Sequence, residues 1–498
     1  MADYGKRSRI GLFLGPTLFF IAWFFPTPEG LAPEAQRVGA IGLLMAIWWI
    51  TEALPIPAIA LLPVALFPTM QIMGSQEVTD QYANHIIYLF MGGFLIAVTM
   101  ERWKLHRRIA LNIVNLVGVS PSRIILGFMI AAAVLSMWIS NTATAMMMVP
   151  IGLAVIKQAM SVMGERGAPV QSNFATALML GIAYACSIGG VATIIGTPPN
   201  TVFVGAVESL FGQQISFALW MLFGVPLSII MLFFTWFYLV RFAFPLEISA
   251  LPGGRSYIEE ELHKLGRITK EEFRVLLVFV CVAAAWILRG FIDFEPLAMV
   301  HDSTIAILGA LVLFAAPSDY KKGVFLLDWP TAVKIPWDII ILFGGGFALA
   351  HGFNTTGLAE YLALQLAALE GWHLAVILAA VVTLTIFLTE LTSNTATATM
   401  MMPILGSMAL AMAIHPYGLM VAAAIAASFA FMLPVATPPN AVVFASSFIT
   451  IPQMAKAGLW LNLVSVVIIT LFVLLALPAI WGVELTALPG WAANGATP

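Results

Sequence analysis

Apolar and polar positions alternate along this chain on the scale of whole helices. Almost wholly apolar runs occupy 10–26, 38–50, 55–68, 86–98, 216–240, 275–288, 303–316, 339–350 and 457–482, and several approach the ~20 residues that a helix needs to cross a bilayer. Two further segments, 121–156 and 371–412, are apolar over a length too great for one plain crossing. Each carries a small polar stretch near its centre, Ser140-Asn141-Thr142-Ala143-Thr144 and Ser393-Asn394-Thr395-Ala396-Thr397. Ser, Asn and Thr favour helix caps over helix interiors. Each segment therefore predicts a re-entrant helical hairpin with its tip at the polar stretch. Two other interruptions, "IIGTPPN" at 194–200 and "PVATPPN" at 434–440, place Thr197 and Thr437 to cap a new half-helix, with Pro198 or Pro438 in its first turn. The helices over 173–211 and 417–449 must break there.

These elements form an internal repeat. Residues 84–151 align without a gap on 337–404 at an offset of 253, so that "IIYLFMGGFLIA" at 86–97 matches "IIILFGGGFALA" at 339–350. The TPPN elements follow in both halves at an offset of 240. Five crossings between equivalent points, an odd number, invert the second copy relative to the first. Inverted repeats around a midplane site are the architecture of many secondary transporters.

Composition makes the membrane reading firm: 61% of the 498 residues are hydrophobic and 9% charged, against roughly 25% charged in an average soluble domain. Lys6, Arg7 and Arg9 precede the first apolar run, which reads as a retained first helix because more membrane segments follow. With the N-terminus cytoplasmic, the topology puts Arg102, Lys104, Arg107, Arg108, Arg123, Lys157, Arg166, the polar stretch 241–274, Lys321, Lys322, Lys334 and Lys456 inside. Only Arg37 and Arg289 fall outside, so 20 of the 22 basic residues share one face, as the positive-inside rule requires. The stretch 241–274 reads as a solvated linker with an amphipathic helix and no catalytic role. Cys186 and Cys281 lie in apolar runs and read as buried thiols.

At a hairpin tip, the unpaired N–H groups and the positive dipole end of the second arm face the membrane midplane. Irregular backbone at that depth is tolerated where it lines a cavity or is buried in protein, which makes the freed carbonyls of Gly196 and Ala436 candidate cation ligands. Ser136 and Thr389 each add a hydroxyl one turn before a tip. Such a site suits an anion together with a hard cation. No Lys or Arg lies in these four elements, so an anion there depends on dipoles and bound cations.

Paired SNT stretches, each followed by a TPPN break, resemble the divalent anion:sodium symporter family over residues 10 to 482. The resemblance implies a homodimer in the cell inner (plasma) membrane, each subunit with eleven transmembrane helices and two re-entrant hairpins. It implies elevator movement and sodium as coupling ion, driving uptake of C4-dicarboxylates such as succinate, malate and fumarate, or of citrate or sulfate. Carried over by position, one sodium site comprises Ser136, Ser140, Asn141 and Gly196, and a second Thr389, Thr392, Asn394 and Ala436. The substrate site comprises Ser140, Asn141, Thr142, Thr197, Ser393, Asn394, Thr395, Thr437 and Pro438. Residues 1–116 and 250–370 are expected to form the scaffold, and 117–249 and 371–498 the transport domain. No nucleic-acid partner is expected.

Other readings stay open at this point. Small polar residues also act as helix-packing glue, and "MGGF" and "GGGF" read as places of close helix approach or of a break in the helix. Glu390 is an intramembrane carboxylate near the second tip, with Met137 at its repeat position, and reads as a group that positions the hairpin or makes a buried hydrogen bond. Glu52, Asp338 and His85 read as interface residues, and the Met runs 146–148 and 400–402 as packing of the second arms. An intramembrane enzyme lacks support, since neither an HExxH motif nor paired intramembrane aspartates occur. A channel, a proton-coupled carrier and a cation-independent exchanger are the competing transport classes; the hydroxyls at 136 and 389 favour cation coupling.

Overall fold

The structure, a computed structural model, describes residues 5–118, 120–164, 173–246, 254–292, 299–366 and 372–494. It is helical throughout except for a two-stranded antiparallel ribbon in which Pro317 pairs with Phe325. The expected domain boundaries at 249/250 and 370/371, and Arg166, lie outside the described residues. Among the described residues four helices are long and apolar enough to cross a membrane: Ser75–Arg102, Asn173–Gly190, Phe217–Ala243 and Ile451–Trp481.

The first hairpin comprises helices Pro121–Ser136 and Asn141–Gly164, and the second Leu374–Thr389 and Asn394–Ala411. The first broken helix comprises Asn173–Gly190 and Pro198–Phe211, and the second Pro416–Ser428 and Pro438–Phe444. Every one of the four breaks falls at the small-polar or TPPN stretch, where capping residues and proline make continuation of the helix costly. The two "GGF" stretches do not break. They lie within the continuous helices His85–Arg102 and Trp337–Thr355, where small residues admit close neighbours. Gly92 abuts Ala306 of helix Asp302–Ala315, and Gly345 abuts the Ala60 backbone.

Helix Leu105–Val117 is amphipathic and packs on the first hairpin and on the linker helix Gly254–Leu265. Arg108 fixes that junction. Its guanidinium donates to Glu272 at 3.1 and 3.0 Å and to the carbonyls of Leu265 at 3.1 Å and Gly266 at 2.9 Å. Beside it, Arg107 and Lys264 both pair with Glu261, and the hydrogen bond from Lys264 leads in holding the Glu261 carboxyl below the usual carboxylate range. His85 Nε2 lies 2.8 Å from Glu208 Oε1.

One expectation fails. Cys186 is buried, but Cys281 is exposed on helix Lys270–Arg289. In a membrane helix the outward face is apolar too, so an apolar run does not imply burial within the protein.

Removing Arg108 leaves Glu272, whose side chain is 4% exposed, as an uncompensated buried charge, a cost of about 3–5 kcal/mol. Arg108→Ala should therefore lower the unfolding temperature in detergent markedly, whereas Lys264→Ala, whose own side chain is 58% exposed and whose buried partner Glu261 keeps Arg107, should barely move it. Equal shifts would refute this account of the junction.

Candidate functional site

The two hairpin tips and the two helix breaks meet around one cavity of about 330 Å3. Ser140, Asn141, Thr142, Thr197, Ser393, Asn394, Thr395, Thr437 and Pro438 all line it, with Gly196 and Ala436. Ser136, Thr389 and Thr392 do not. They are buried beneath the tips, where Ser136 and Thr389 bond the side chains of Asn141 and Asn394. The rest of the wall is apolar, including Phe90, Phe94, Ile195 and Val435, apart from Glu52 and Asp338. No Lys, Arg or His is among the lining residues. Glu52 and Asp338 were legible only as membrane-end residues; that two interface carboxylates open onto this cavity is a matter of packing.

Beneath the first tip, oxygens crowd together. One terminal atom of the Asn141 amide lies beside Ser136 Oγ, 3.3 Å from the Gly196 carbonyl oxygen and 3.2 Å from that of Cys186. Assigned as nitrogen, it donates to all three. Assigned as oxygen, it closes a group of four oxygens that a hard cation can hold together, at spacings close to those around an ion with ligands at about 2.3–2.6 Å. The donor set thus fits a small hard cation, and it includes Cys186 O, which no sequence motif marks. Glycine is required at two points here. A Cβ at Gly196 would come within 2.4 Å of the Gly190 carbonyl, and one at Gly190 within 2.7 Å of Asn141 Oδ1.

The second tip repeats the pattern with different atoms. Thr389 Oγ1 lies 2.7 Å from Asn394 Oδ1 and 2.9 Å from the Ala427 carbonyl. Thr392 Oγ1 lies 2.5 Å from Thr397 Oγ1 and donates to the Leu388 carbonyl at 3.1 Å. Thr197 and Thr437 both stand at the N-cap with Pro at the next position. Thr437 accepts from Asn440 N at 3.3 Å, but the Thr197 hydroxyl makes no cap bond and lies 3.4 Å from Ser428 Oγ across the site.

What holds the breaks open is a set of residues that site reasoning passed over. Asn200 donates through Nδ2 to the carbonyls of Gly190, Val191 and Thr193. Asn440 does the same for Ala430 and Leu433, each at 3.0 Å. Their identical place in the two TPPN elements was the available signal. In the first half Thr193 also donates to the Met137 carbonyl at 2.5 Å and accepts from Gly196 N at 3.0 Å. In the second, Glu390 takes over that bracing. Its carboxylate accepts from the backbone N–H of Phe431 (2.7 Å), Met432 (2.8 Å) and Leu433 (3.1 Å) and from Asn462 Nδ2 (2.7 Å). This is the hairpin-positioning role, and it explains why the repeat can have Met137 at the same place.

Fold and site together define a membrane protein built from two hairpin-and-broken-helix halves around a shared polar cavity. Residues 7–486 match the family described as "Sodium:sulfate symporter transmembrane region", and the chain belongs to that family. It is 46% identical over 488 residues to the "Sodium-dependent dicarboxylate transporter SdcS" of Staphylococcus saprophyticus, covering 97% of this chain and 94% of that protein. It is likewise 46% identical over 486 residues to the protein of the same name from Staphylococcus aureus strain RF122, with the same coverage. Among solved structures, the Alcanivorax borkumensis YdaH transporter superposes with a TM-score of 0.56 at 12% identity, covering 89% of this chain and 98% of that one. Neisseria gonorrhoeae MtrF gives 0.56 at 11%, covering 94% and 93%. These two likenesses concern the fold alone.

Glu390→Ala orphans four donors, each costing about 1–3 kcal/mol when buried and unpaired. The variant should unfold in detergent at a clearly lower temperature than Met137→Ala, which removes no hydrogen bond of the first break. Matching unfolding temperatures would show that the carboxylate does not brace the second break.

Proposed function

We propose that the protein is a sodium-coupled symporter of divalent anions, most directly C4-dicarboxylates such as succinate, malate and fumarate. The observation that carries this reading is a cavity lined by hydroxyls, amides and helix N-termini from both halves, with no cationic side chain among its lining residues. Helix N-termini and their N–H groups favour carboxylate oxygens, yet a dianion brought there without countercharge bears a heavy desolvation cost. Co-bound sodium supplies the countercharge. Glu52 and Asp338 at the cavity add to the case, because two carboxylates attract cations and repel a bare dianion, so cation binding precedes substrate binding. The names of the staphylococcal relatives agree with both the ion and the substrate class.

In this reading Ser136, Ser140, Asn141 and Gly196 hold one sodium, joined by Cys186 O, and Thr389, Thr392, Asn394 and Ala436 hold the second. The substrate carboxylates are received at the two tips by Ser140, Asn141 and Thr142 and by Ser393, Asn394 and Thr395, with Thr197, Thr437 and Pro438 completing the walls. Asn141 and Asn394 serve cation and anion at once, which couples the two bindings. The chain crosses the plasma membrane eleven times with its N-terminus cytoplasmic. The domain formed by 117–249 and 371–498 slides as an elevator against a dimeric scaffold formed by 1–116 and 250–370.

Reconstituted protein should take up succinate under an inward sodium gradient and not when choline replaces sodium. Losing hydrogen bonds to a charged partner costs about 1.5–3 kcal/mol, so Asn141→Ala and Asn394→Ala should each cut uptake by roughly 10- to 150-fold while leaving the protein folded. Equal uptake in sodium and choline would overturn the coupling.

A further inference from the structure

The internal repeat extends to the amphipathic helix Leu105–Val117. Its counterpart at the offset of 253 is helix Leu358–Leu366, which begins at the equivalent residue. The residue before each start lies in the left-handed region, Gly357 at φ 74° in one copy and Lys104 at φ 59° in the other. Glycine adopts that conformation freely and lysine does not. The turn that follows differs in the same sense, since His106, Arg107 and Arg108 stand where the second copy has Ala359, Glu360 and Tyr361. The repeat therefore folds this corner without positive charge, and the first copy holds Lys104 where glycine is the easier residue.

Three of these residues line a cavity. Lys104, His106 and Arg107 form one wall of a space of about 340 Å3, and Met147, Pro150 and Ile151 of the first hairpin's second arm form the other. The basic wall is not neutralised by its neighbours. Arg102 pairs with Asp328, Arg107 with Glu261 and Arg108 with Glu272, but Lys104 is exposed and has no acidic partner among the described residues. Arg107 uses Nη2 for Glu261, while its Nε is buried with no hydrogen-bond partner. A buried guanidinium N–H in that condition calls for an acceptor. His106 Nδ1 donates to the Met100 carbonyl at 3.1 Å, which leaves Nε2 as the imidazole atom free to meet a ligand.

Resting on the cytoplasmic placement of this helix given above, we infer that the cavity holds the phosphate headgroup of an anionic phospholipid from the cytoplasmic leaflet. The phosphate sits between Lys104 and Arg107, beside the positive end of the Leu105–Val117 dipole, and the glycerol and first methylenes lie along Met147, Pro150 and Ile151. A soluble phosphate would answer the basic wall but leave the apolar wall unexplained. Leu116, on the same helix, is 87% exposed, which suits a helix lying in the membrane interface. Basic pockets at that depth on the cytoplasmic side attract anionic headgroups. The positive-inside rule accounts for charge on this face, but not for a lysine in a glycine's conformation, nor for an unpartnered Nε opposite an apolar wall.

The test follows the unfolding temperature of the full chain in neutral detergent during titration with dioctanoyl phosphatidylglycerol. A ligand that binds only the folded chain raises that temperature along a curve from which its Kd is read. Phosphatidylglycerol should give a saturable rise, and dioctanoyl phosphatidylcholine and inorganic phosphate none. Lys104→Gly and Lys104→Asn both suit the left-handed region, so without lipid they should unfold close to the parent's temperature. Each should nevertheless weaken phosphatidylglycerol binding by about fivefold or more. Lys334→Ala removes an exposed charge outside the cavity and should leave that binding unchanged. Equal affinities in the parent and the Lys104 variants, or an equal rise with phosphatidylcholine, would overturn the inference, and the same rise with inorganic phosphate would overturn the lipid as its source. No transport is measured, so failure here leaves sodium-driven uptake standing, and failure of uptake leaves the lipid site standing.

Discussion

Backbone groups buried among apolar side chains have no water to fall back on, and this protein interrupts four helical segments in such surroundings. The rest of the structure follows from how those interruptions are kept satisfied. Asn200 and Asn440 gather the freed carbonyls of the two broken helices, while Thr193 in one half and Glu390 in the other take up the remaining backbone groups. With these braces in place, Gly196, Ala436 and the starts of the half-helices line the site. A polar site is thereby built in an apolar protein without buried lysine or arginine.

The two halves solve this problem with different atoms, which shows what is constrained and what is free. A threonine hydroxyl bonded to the Met137 carbonyl does in one half what a four-coordinate carboxylate does in the other. Gly190 and Gly196 approach so closely that neither admits a Cβ, whereas Ala436 stands at the position equivalent to Gly196. Hydrogen-bond satisfaction and oxygen placement are therefore what both halves keep, and side-chain identity varies around them.

Electrostatics then sets what the cavity favours. Its lining offers dipoles and hydroxyls to an anion but no full positive charge, and two carboxylates open onto it. Such a lining favours a cation over a bare dianion, in keeping with sodium-coupled transport of a dicarboxylate. The GGF glycines of helices His85–Arg102 and Trp337–Thr355 divide their contacts in a matching way: Gly92 and Gly345 meet Ala306 and Ala60, whereas Gly93 and Gly346 meet Ile195 and Thr399 of a break and a hairpin.

Much of this was legible in the sequence because the relevant signals are local or repeated. Capping residues and proline in an apolar segment dictate where helices end, and recurrence at offsets of 253 and 240 ties the four breaks to one site. Packing partners are neither local nor repeated, so other features stayed hidden. The Cys186 carbonyl beneath Asn141, the carboxylates of Glu52 and Asp338 at the cavity, the four donors around Glu390 and the exposure of Cys281 each depend on chain segments far apart in sequence. The sequence by itself determined the membrane fold, the breaks and the candidate site residues, since these follow from backbone chemistry in an apolar solvent. Tertiary structure alone decided which oxygens converge and which residues of each half are buried against helices His85–Arg102 and Trp337–Thr355, because such contacts join segments far apart in sequence.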